Sequence, residues 1–592
     1  MSPSASLLLK LYAAGVALWH LWLIFSGLLP NLVTRPLHMI VAIPFVFFFT
    51  GKPESRWSRW SGWGLGLLGL LSAGWVALNR DALNEQYGAL EGDGQLWLSL
   101  ILLLVVLEMA RRAIKWVLPL VALLTLAYGL SGPYLPGEFG FAAIPLDSFL
   151  GTLTIAEGGV WGPLTGISVN VIAVFILLGA LVGAGEAGTG FMALATRLAG
   201  RLRGGAAKVS VLSSALFGSI SGSASANVAA TGAVTLPTMK RLGYPAPLAA
   251  AVEAVASTGG QIMPPLMGAG AFVMVELLGV PYERIMAAAI LPALLFFWCA
   301  WAGIDHAARQ YDLKALRASE LPPWRSVLRT LPFFAVPFGL LLLVLFTSDR
   351  TPQYAAALAV GAAWLLLALD ERGKVSLRRW LARSGTAALS GARQIAVLAS
   401  IVLCAGIIIG VLNQTGLGVK LTSAIIGLSG GQLWLALLLT GAACLILGME
   451  VPTTAAYVIS ISVAGPALQE LGLPPLTAHL FVFWYALLST ITPPVCGTVF
   501  IASGMAETAW LPTAGRAMQL GLGLYLVPLA FVAHPALLDP LNAPFWASWA
   551  LLKMGAGLWV TSAGLARRSD KLWLNGLAIA AGLALLFLFG GG

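Results

Sequence analysis

The chain has 592 residues and a formal net charge of +10; 59% of its residues are hydrophobic, 10% are charged, and its mean hydropathy is +0.88. A water-soluble domain carries about 25% charged residues, so the composition excludes a soluble globular protein. The apolar runs lack the residue-by-residue alternation of a transmembrane β-barrel, which leaves an all-α polytopic membrane protein with the lipid bilayer as its solvent.

The basic balance does not point to nucleic acid. Lys and Arg fall in clusters between apolar spans, such as Arg111, Arg112 and Lys115; Arg197, Arg201, Arg203 and Lys208; Lys240 and Arg241; and Arg372 to Arg383. This is the positive-inside pattern of a multi-pass protein of the bacterial inner (cytoplasmic) membrane. The four cysteines lie singly in apolar runs and the five histidines are scattered, so neither a disulfide framework nor a zinc site is expected.

In chain order, residues 1–132 give five apolar segments, near 9–29, 36–52, 62–78, 96–110 and 114–132. The first lacks a small-residue cleavage site and reads as a retained helix, not a signal peptide. Residues 133–166, rich in Gly and Pro, read as an interfacial linker. A first repeat spans 167–285. Residues 286–394 supply three connecting spans and a polar segment, Asp370 to Gln394, expected as an amphipathic helix on the cytoplasmic surface. A second repeat spans 395–515, and further spans fill 516–592.

The repeat is read from punctuation. Pro237, Leu242-Gly243-Tyr244-Pro245, Pro264-Pro265 and Gly268 recur 229 residues later as Pro466, Leu471-Gly472-Leu473-Pro474, Pro493-Pro494 and Gly497. Each half predicts a helical hairpin with a small polar tip, then a helix broken at Pro-Pro. Paired interrupted helices mark binding sites in secondary transporters.

The first tip is Ser221-Gly222-Ser223-Ala224-Ser225-Ala226-Asn227, and the first break is Ser257-Thr258-Gly259-Gly260-Gln261-Ile262-Met263-Pro264-Pro265. The second tip is Gly448-Met449-Glu450-Val451-Pro452-Thr453-Thr454, and the second break is Ser489-Thr490-Ile491-Thr492-Pro493-Pro494. Polar groups at membrane depth need partners. Proline removes a backbone donor and paired glycines allow unwinding. Unwinding frees carbonyl oxygens for a cation, while a half-helix N-terminus turns its positive end toward an anion. The competing reading is that Ser, Thr and Gly merely knit helices together. Glu253, one turn before Ser257, and Glu450, in the second tip, are carboxylates at membrane depth and candidates for an ion- or proton-linked role. Otherwise each pairs with a nearby Arg or sits where a hairpin end reaches water.

The runs Phe217 to Val228, Pro237 to Tyr244 and Ala251 to Pro265 resemble the large-subunit signature of tripartite ATP-independent periplasmic (TRAP) transporters. With Pro452 to Tyr457 and Pro474 to Phe481, they resemble the branch served by TAXI-type binding proteins. The resemblance is strong over about 132–525. It extends weakly over the N-terminal spans, where that family fuses its small subunit to the large one. It implies an elevator-type transporter with inverted repeats, two re-entrant hairpins, two discontinuous helices and an N-terminal helical scaffold. It also implies a periplasmic TAXI-type substrate-binding protein as partner, a small carboxylate as substrate, and Na+ or H+ as coupling ion with no cofactor. The tips and breaks fall where the family's cation and substrate sites lie, with Ser223, Asn227, Gly260, Thr453 and Thr492 as candidate Na+ ligands. Glu450 departs from the apolar or small residue expected there, which counts against plain Na+ coupling.

Two other readings remain. One is a stand-alone ion-coupled dicarboxylate or anion permease that needs no binding protein. The other is an intramembrane enzyme, which requires a His–Asp, Ser–His or metal set. Of the histidines only His479 lies near a hairpin, with no acidic neighbour in sequence, so the chain is expected not to be an enzyme. ATP drive is disfavoured because no Gly-x-x-x-x-Gly-Lys-Ser/Thr loop occurs.

Overall fold

The computed structural model of the protein describes residues 3–27, 29–49, 56–265, 267–348, 350–448, 453–494, 496–566 and 572–588. Among them the fold is helical throughout, with one isolated bridge between Leu369 and Val375. Eight helices are long and apolar enough to cross a bilayer, and several shorter apolar helices accompany them. Helices dominate because a backbone in lipid must satisfy its own N–H and C=O groups.

The five N-terminal segments appear as Pro3–Phe25, Asn31–Ile43 (prolonged by a π-turn, Pro44–Phe48), Arg56–Leu78, Gly92–Ile114 and Val117–Ser131. They gather around one 39-residue helix, Leu377–Thr415, which packs on four of the five and on Ala173–Ala184. The polar segment after Asp370 is therefore not a separate surface helix. No proline interrupts the chain between 377 and 415, so the basic first turns run unbroken into the apolar stretch. Its glycines permit close approach: a Cβ on Gly406 would lie 2.5 Å from the Gly159 carbonyl oxygen, and one on Gly410 2.7 Å from that of Gly158.

Residues 133–166 differ from the expected loose linker. They contain the helix Leu146–Thr154 and bury Phe149, Leu153, Val160 and Trp161 against the N-terminal helices. Trp161 Nε1 donates to the Thr154 carbonyl (2.6 Å), and Arg35 donates to Glu157 (3.1 Å) and to the Trp161 carbonyl. The aromatic residues scattered among the glycines supply apolar area that a polar linker lacks.

In each half of the remainder a pair of helices is followed by two shorter ones. The first hairpin is Gly205–Ser221 and Ala224–Arg241, followed by a broken helix, Ala246–Gly259 and Gly268–Leu278. The second hairpin is Leu433–Leu447 and Thr453–Glu470, followed by Pro475–Leu488 and Gly497–Ala506. The trailing half-helices are exchanged. Gly268–Leu278 packs on Thr453–Glu470 and Pro475–Leu488, while Gly497–Ala506 packs on Ala224–Arg241 and Ala246–Gly259. Tyr282–Gln310 and Leu522–Ala533 flank this unit, and Pro544–Ala566 with Leu572–Phe587 packs on Tyr282–Gln310. The four cysteines are free and buried.

Filling the contact at Gly406 should destabilise the fold by about 1–3 kcal/mol, the usual cost of overpacking. Gly406→Val is expected to lower the melting temperature of the purified protein, whereas Gly339→Val, where a Cβ meets nothing within 4 Å, should leave it nearly unchanged. Equal melting temperatures would contradict the packing described.

Candidate functional site

The first tip reverses at Gly222, whose φ of +61° favours glycine. The Ser223 side chain then caps the next helix, accepting from the Ala226 N–H at 3.3 Å. One turn further, Asn227 is fully buried. Its Nδ2 donates to the Ser214 carbonyl (2.9 Å) and the Ser257 carbonyl (3.3 Å), tying both hairpin arms to the first broken helix. Its Oδ1 is buried with no hydrogen-bond partner among the described residues. An oxygen in that state costs about 1–3 kcal/mol and is a hard donor suited to a small cation. The approach depends on two glycines: a Cβ on Gly260 would lie 2.5 Å from the Gly218 Cα.

The first break passes from Gly259 into a 3-10 turn, Gly260–Ile262, before Pro264-Pro265. Gln261 joins three pieces there. Its Nε2 donates to the Gly222 carbonyl (3.0 Å) in the first tip, and its Oε1 accepts from Thr453 Oγ1 (2.8 Å) beside the second. Thr258 Oγ1 meets Thr490 Oγ1 at 3.0 Å, and Thr498 Oγ1 donates to the Thr490 carbonyl at 2.7 Å. Gly448 abuts Ser489, where a Cβ would lie 2.7 Å from the Ser489 Oγ. The first tip, the two breaks, and Gly448 and Thr453 at the two ends of the second tip therefore meet.

Beside this junction lies a cavity of ≈ 620 Å³, within the size range of small-molecule sites. On one side stand Gly222, Ser223, Ala226, Gly268 and Thr454. On the other stand Ala173–Ala184 and the polar stripe Thr386, Ser390, Arg393 and Gln394 of the long helix. Gln394 donates to Ser390 Oγ (3.2 Å). Arg393 is the one charged residue of the lining and pairs with no carboxylate among the described residues.

A second polar cluster surrounds Glu253, which is fully buried. Ser210 Oγ (2.7 Å), Thr235 Oγ1, Thr231 Oγ1, Ser257 Oγ (3.3 Å) and Ser214 Oγ (3.5 Å) all lie within hydrogen-bond reach of its carboxylate. Among the described residues no basic group joins them.

Of the residues singled out from the sequence, Asn227, Ser257, Thr258, Gly260, Gln261, Thr453, Ser489 and Thr490 sit in the junction, and Gly222, Ser223 and Thr454 line the cavity. Ser225 is exposed, and Gly259 packs on Phe296. Pro264 and Pro493 are half-buried at the two turns. Thr492 turns its hydroxyl to the Tyr525 hydroxyl (2.6 Å). Glu450, Pro452 and the Ser221 side chain lie outside the described residues. His479 is bonded to the Tyr457 hydroxyl (2.7 Å). Sequence reasoning missed Arg393 and, Ser257 apart, the hydroxyls around Glu253. The latter had a signal: Ser210 with Ser214, Thr231 with Thr235, and Glu253 with Ser257 are each four apart, which places each pair on one helix face.

The family model described as the tripartite ATP-independent periplasmic transporter, DctM component, matches residues 101–541. The chain is similar to the C4-dicarboxylate TRAP transporter large permease protein DctM of Pseudomonas aeruginosa, with 27% identity over 383 residues, 63% of this chain and 86% of that protein. It is similar to the isethionate TRAP transporter permease protein DctMQ of Oleidesulfovibrio alaskensis, with 24% identity over 351 residues, 57% of this chain and 52% of that protein. Among solved structures, the Alcanivorax borkumensis YdaH transporter shares the fold, with a TM-score of 0.50 and 16% identity, covering 73% of this chain and 98% of that one.

Gly260→Ala should destabilise the protein by about 1–3 kcal/mol, because the added methyl group meets backbone with no flexible end to yield. Thr258→Val, which removes one hydroxyl link between the breaks, should cost about 1 kcal/mol. Thermal melts in detergent rank the two, and a reversed order would contradict the geometry.

Proposed function

The chain belongs to the DctM family of tripartite ATP-independent periplasmic transporters, and on that footing we propose that it is the permease through which an ion gradient drives uptake of a small organic acid delivered by a periplasmic binding protein. It is a multi-pass inner-membrane transporter and not an enzyme. The observation that carries the proposal is the cavity: described residues of both polar tips and of a broken helix line it with Arg393, which pairs with no carboxylate among the described residues, in a space of small-molecule size. Arginine holds a carboxylate by paired charge-assisted hydrogen bonds, and Gly268 brings the N-terminus of the half-helix Gly268–Leu278 to the same cavity, where its positive end favours an anion.

The finer reading has four parts. The binding protein is of the TAXI type, on the motifs Ala251 to Pro265 and Pro474 to Phe481. Helices Pro3–Phe25 to Gly92–Ile114 act as the fused small subunit; they precede or only overlap the start of the family match at residue 101, and they pack on the long helix. The two hairpin-plus-broken-helix units are inverted repeats, supported by their exchanged half-helices. They move as one body against the scaffold of N-terminal helices and Leu377–Thr415, with the cavity at the boundary. Coupling is by Na+ or H+, and the free Asn227 Oδ1 with the Gly260 turn is the candidate cation ligand pair.

Reconstituted in liposomes with its binding protein loaded with an organic acid, the permease should accumulate that acid only under an imposed Na+ or pH gradient. Uptake without the binding protein would favour a stand-alone permease. Arg393→Gln should raise KM about 10- to 100-fold, the range of a charged hydrogen bond of about 1.5–3 kcal/mol, with kcat little changed; an unaltered KM removes Arg393 from the site. Joining Ala226→Cys to Gln394→Cys with a bifunctional thiol reagent, in a chain lacking the native cysteines, should stop transport reversibly. Full transport by the joined protein would show that the two bodies need not move.

A further inference from the structure

The Glu253 cluster is not used by the cavity described above, yet it has its own opening. A separate cavity of ≈ 180 Å³ is lined by Met192, Val209, Val234, Thr235, Thr238 and the Arg241–Glu320 ion pair (2.7 Å), among others. That volume holds a few water molecules, each taking about 30 Å³. It lies on the face that carries Arg197, Arg201, Arg203, Lys240 and Arg241, which the positive-inside rule assigns to the cytoplasm. Thr235 stands in its wall and also contacts the Glu253 carboxylate.

The hydroxyls around Glu253 suit a group that changes protonation state. With the carboxylate ionised, Ser210 and Thr235 donate to Oε2, and Thr231 and Ser257 donate to Oε1. With a proton on the carboxyl group, Thr235 has a second acceptor in the Thr231 carbonyl (3.1 Å), and Thr231 has one in the Asn227 carbonyl (2.8 Å). Either hydroxyl can turn its O–H to the backbone and accept the carboxyl proton. Both states are satisfied by rotation of hydroxyl hydrogens alone. A carboxylate with a purely structural role would be better served by a fixed cationic partner.

The charged groups on the surrounding helices are engaged elsewhere. Lys208 pairs with Asp305 (2.9 Å), which also takes Arg309 (2.9 Å); Lys240 bonds the Ala506 carbonyl (3.0 Å) and pairs with Glu507 (3.6 Å). Arg516 bonds Gln519 (2.9 Å) and the Tyr311 hydroxyl (3.1 Å), and Arg241 is held by Glu320. Gly497–Ala506 brings no titratable side chain. Among the described residues, hydroxyls alone make polar contact with the carboxylate.

We propose that Glu253 is a proton-binding residue of this transporter, and that the cavity ending at Thr235 connects it to the cytoplasm. A hydronium ion in that cavity gives its proton to Thr235 Oγ1 as the Thr235 hydroxyl proton passes to Glu253 Oε2. Water and a carboxylic acid result, and release runs the same steps backwards. The cluster reaches the candidate cation site through shared residues, since Asn227 donates to the carbonyls of Ser214 and Ser257, whose hydroxyls face Glu253. The proposal rests on the ion-driven reading above.

The test needs no substrate. Infrared difference spectra of the full-length protein in lipid, taken between about pH 5 and pH 9, should show a protonated-carboxyl C=O band that titrates in the wild type and is missing in Glu253→Gln. An identical titrating band in the variant, or no such band in the wild type, overturns the site. Thr235→Val keeps the carboxylate and guards against misfolding of the first variant. It should retain the band but slow its hydrogen–deuterium exchange about tenfold; exchange at the wild-type rate overturns the route. Absence of gradient-driven uptake by the wild type, with its titrating band present, would count against the transporter reading and leave the proton site standing.

Discussion

A helix that breaks inside a bilayer releases backbone groups that lipid cannot satisfy, and the rest of this structure follows from that constraint. Four interruptions occur in the two hairpins and two broken helices, and the described residues at each make hydrogen bonds to another piece of the protein or to their own turn. Asn227 caps the carbonyls of Ser214 and Ser257, Gln261 takes the Gly222 carbonyl and the Thr453 hydroxyl, and Thr498 takes the Thr490 carbonyl. Such bonds are made only if the four pieces converge, so the need to pair polar groups gathers the interrupted segments into one place.

Convergence requires close backbone approach, which explains the glycine content better than flexibility does. Gly218 against Gly260, Gly222 against Gly268 and Gly448 against Ser489 are contacts a side chain would obstruct. The same device fixes the scaffold, where Gly406 and Gly410 seat the long helix on residues 158–159. The cavity forms where a glycine-dense, polar unit meets that apolar spine, and one arginine on the spine supplies its charge.

Much of this was legible in the sequence because Gly and Pro act locally. The repeated Leu-Gly-x-Pro and Pro-Pro punctuation falls at the start of Ala246–Gly259 and Pro475–Leu488 and in the turns that follow them, and the first small polar run falls at the Gly222 reversal; residues 449–452 of the second run lie outside the described residues. What the sequence hid depends on contacts between distant segments. Arg393 read as part of a surface helix because the basic run before it looks interfacial, whereas Leu377–Thr415 continues straight through and carries Arg393 to the cavity wall. Residues 133–166 read as a linker from their Gly and Pro content, but Phe149 and Trp161 give them a buried core. Thr492 was grouped with the ion ligands by position, while its hydroxyl bonds Tyr525 on a later helix.

The central claim is that two bodies share one site and move past each other to carry it. Spin labels at Leu71 on the scaffold helix Arg56–Leu78 and at Leu438 on the hairpin helix Leu433–Leu447, both exposed, would report the separation of the bodies by pulsed dipolar spectroscopy in proteoliposomes. The account predicts two distance populations whose ratio changes when an ion gradient and loaded binding protein are supplied. A single narrow population, unchanged by either, would contradict it.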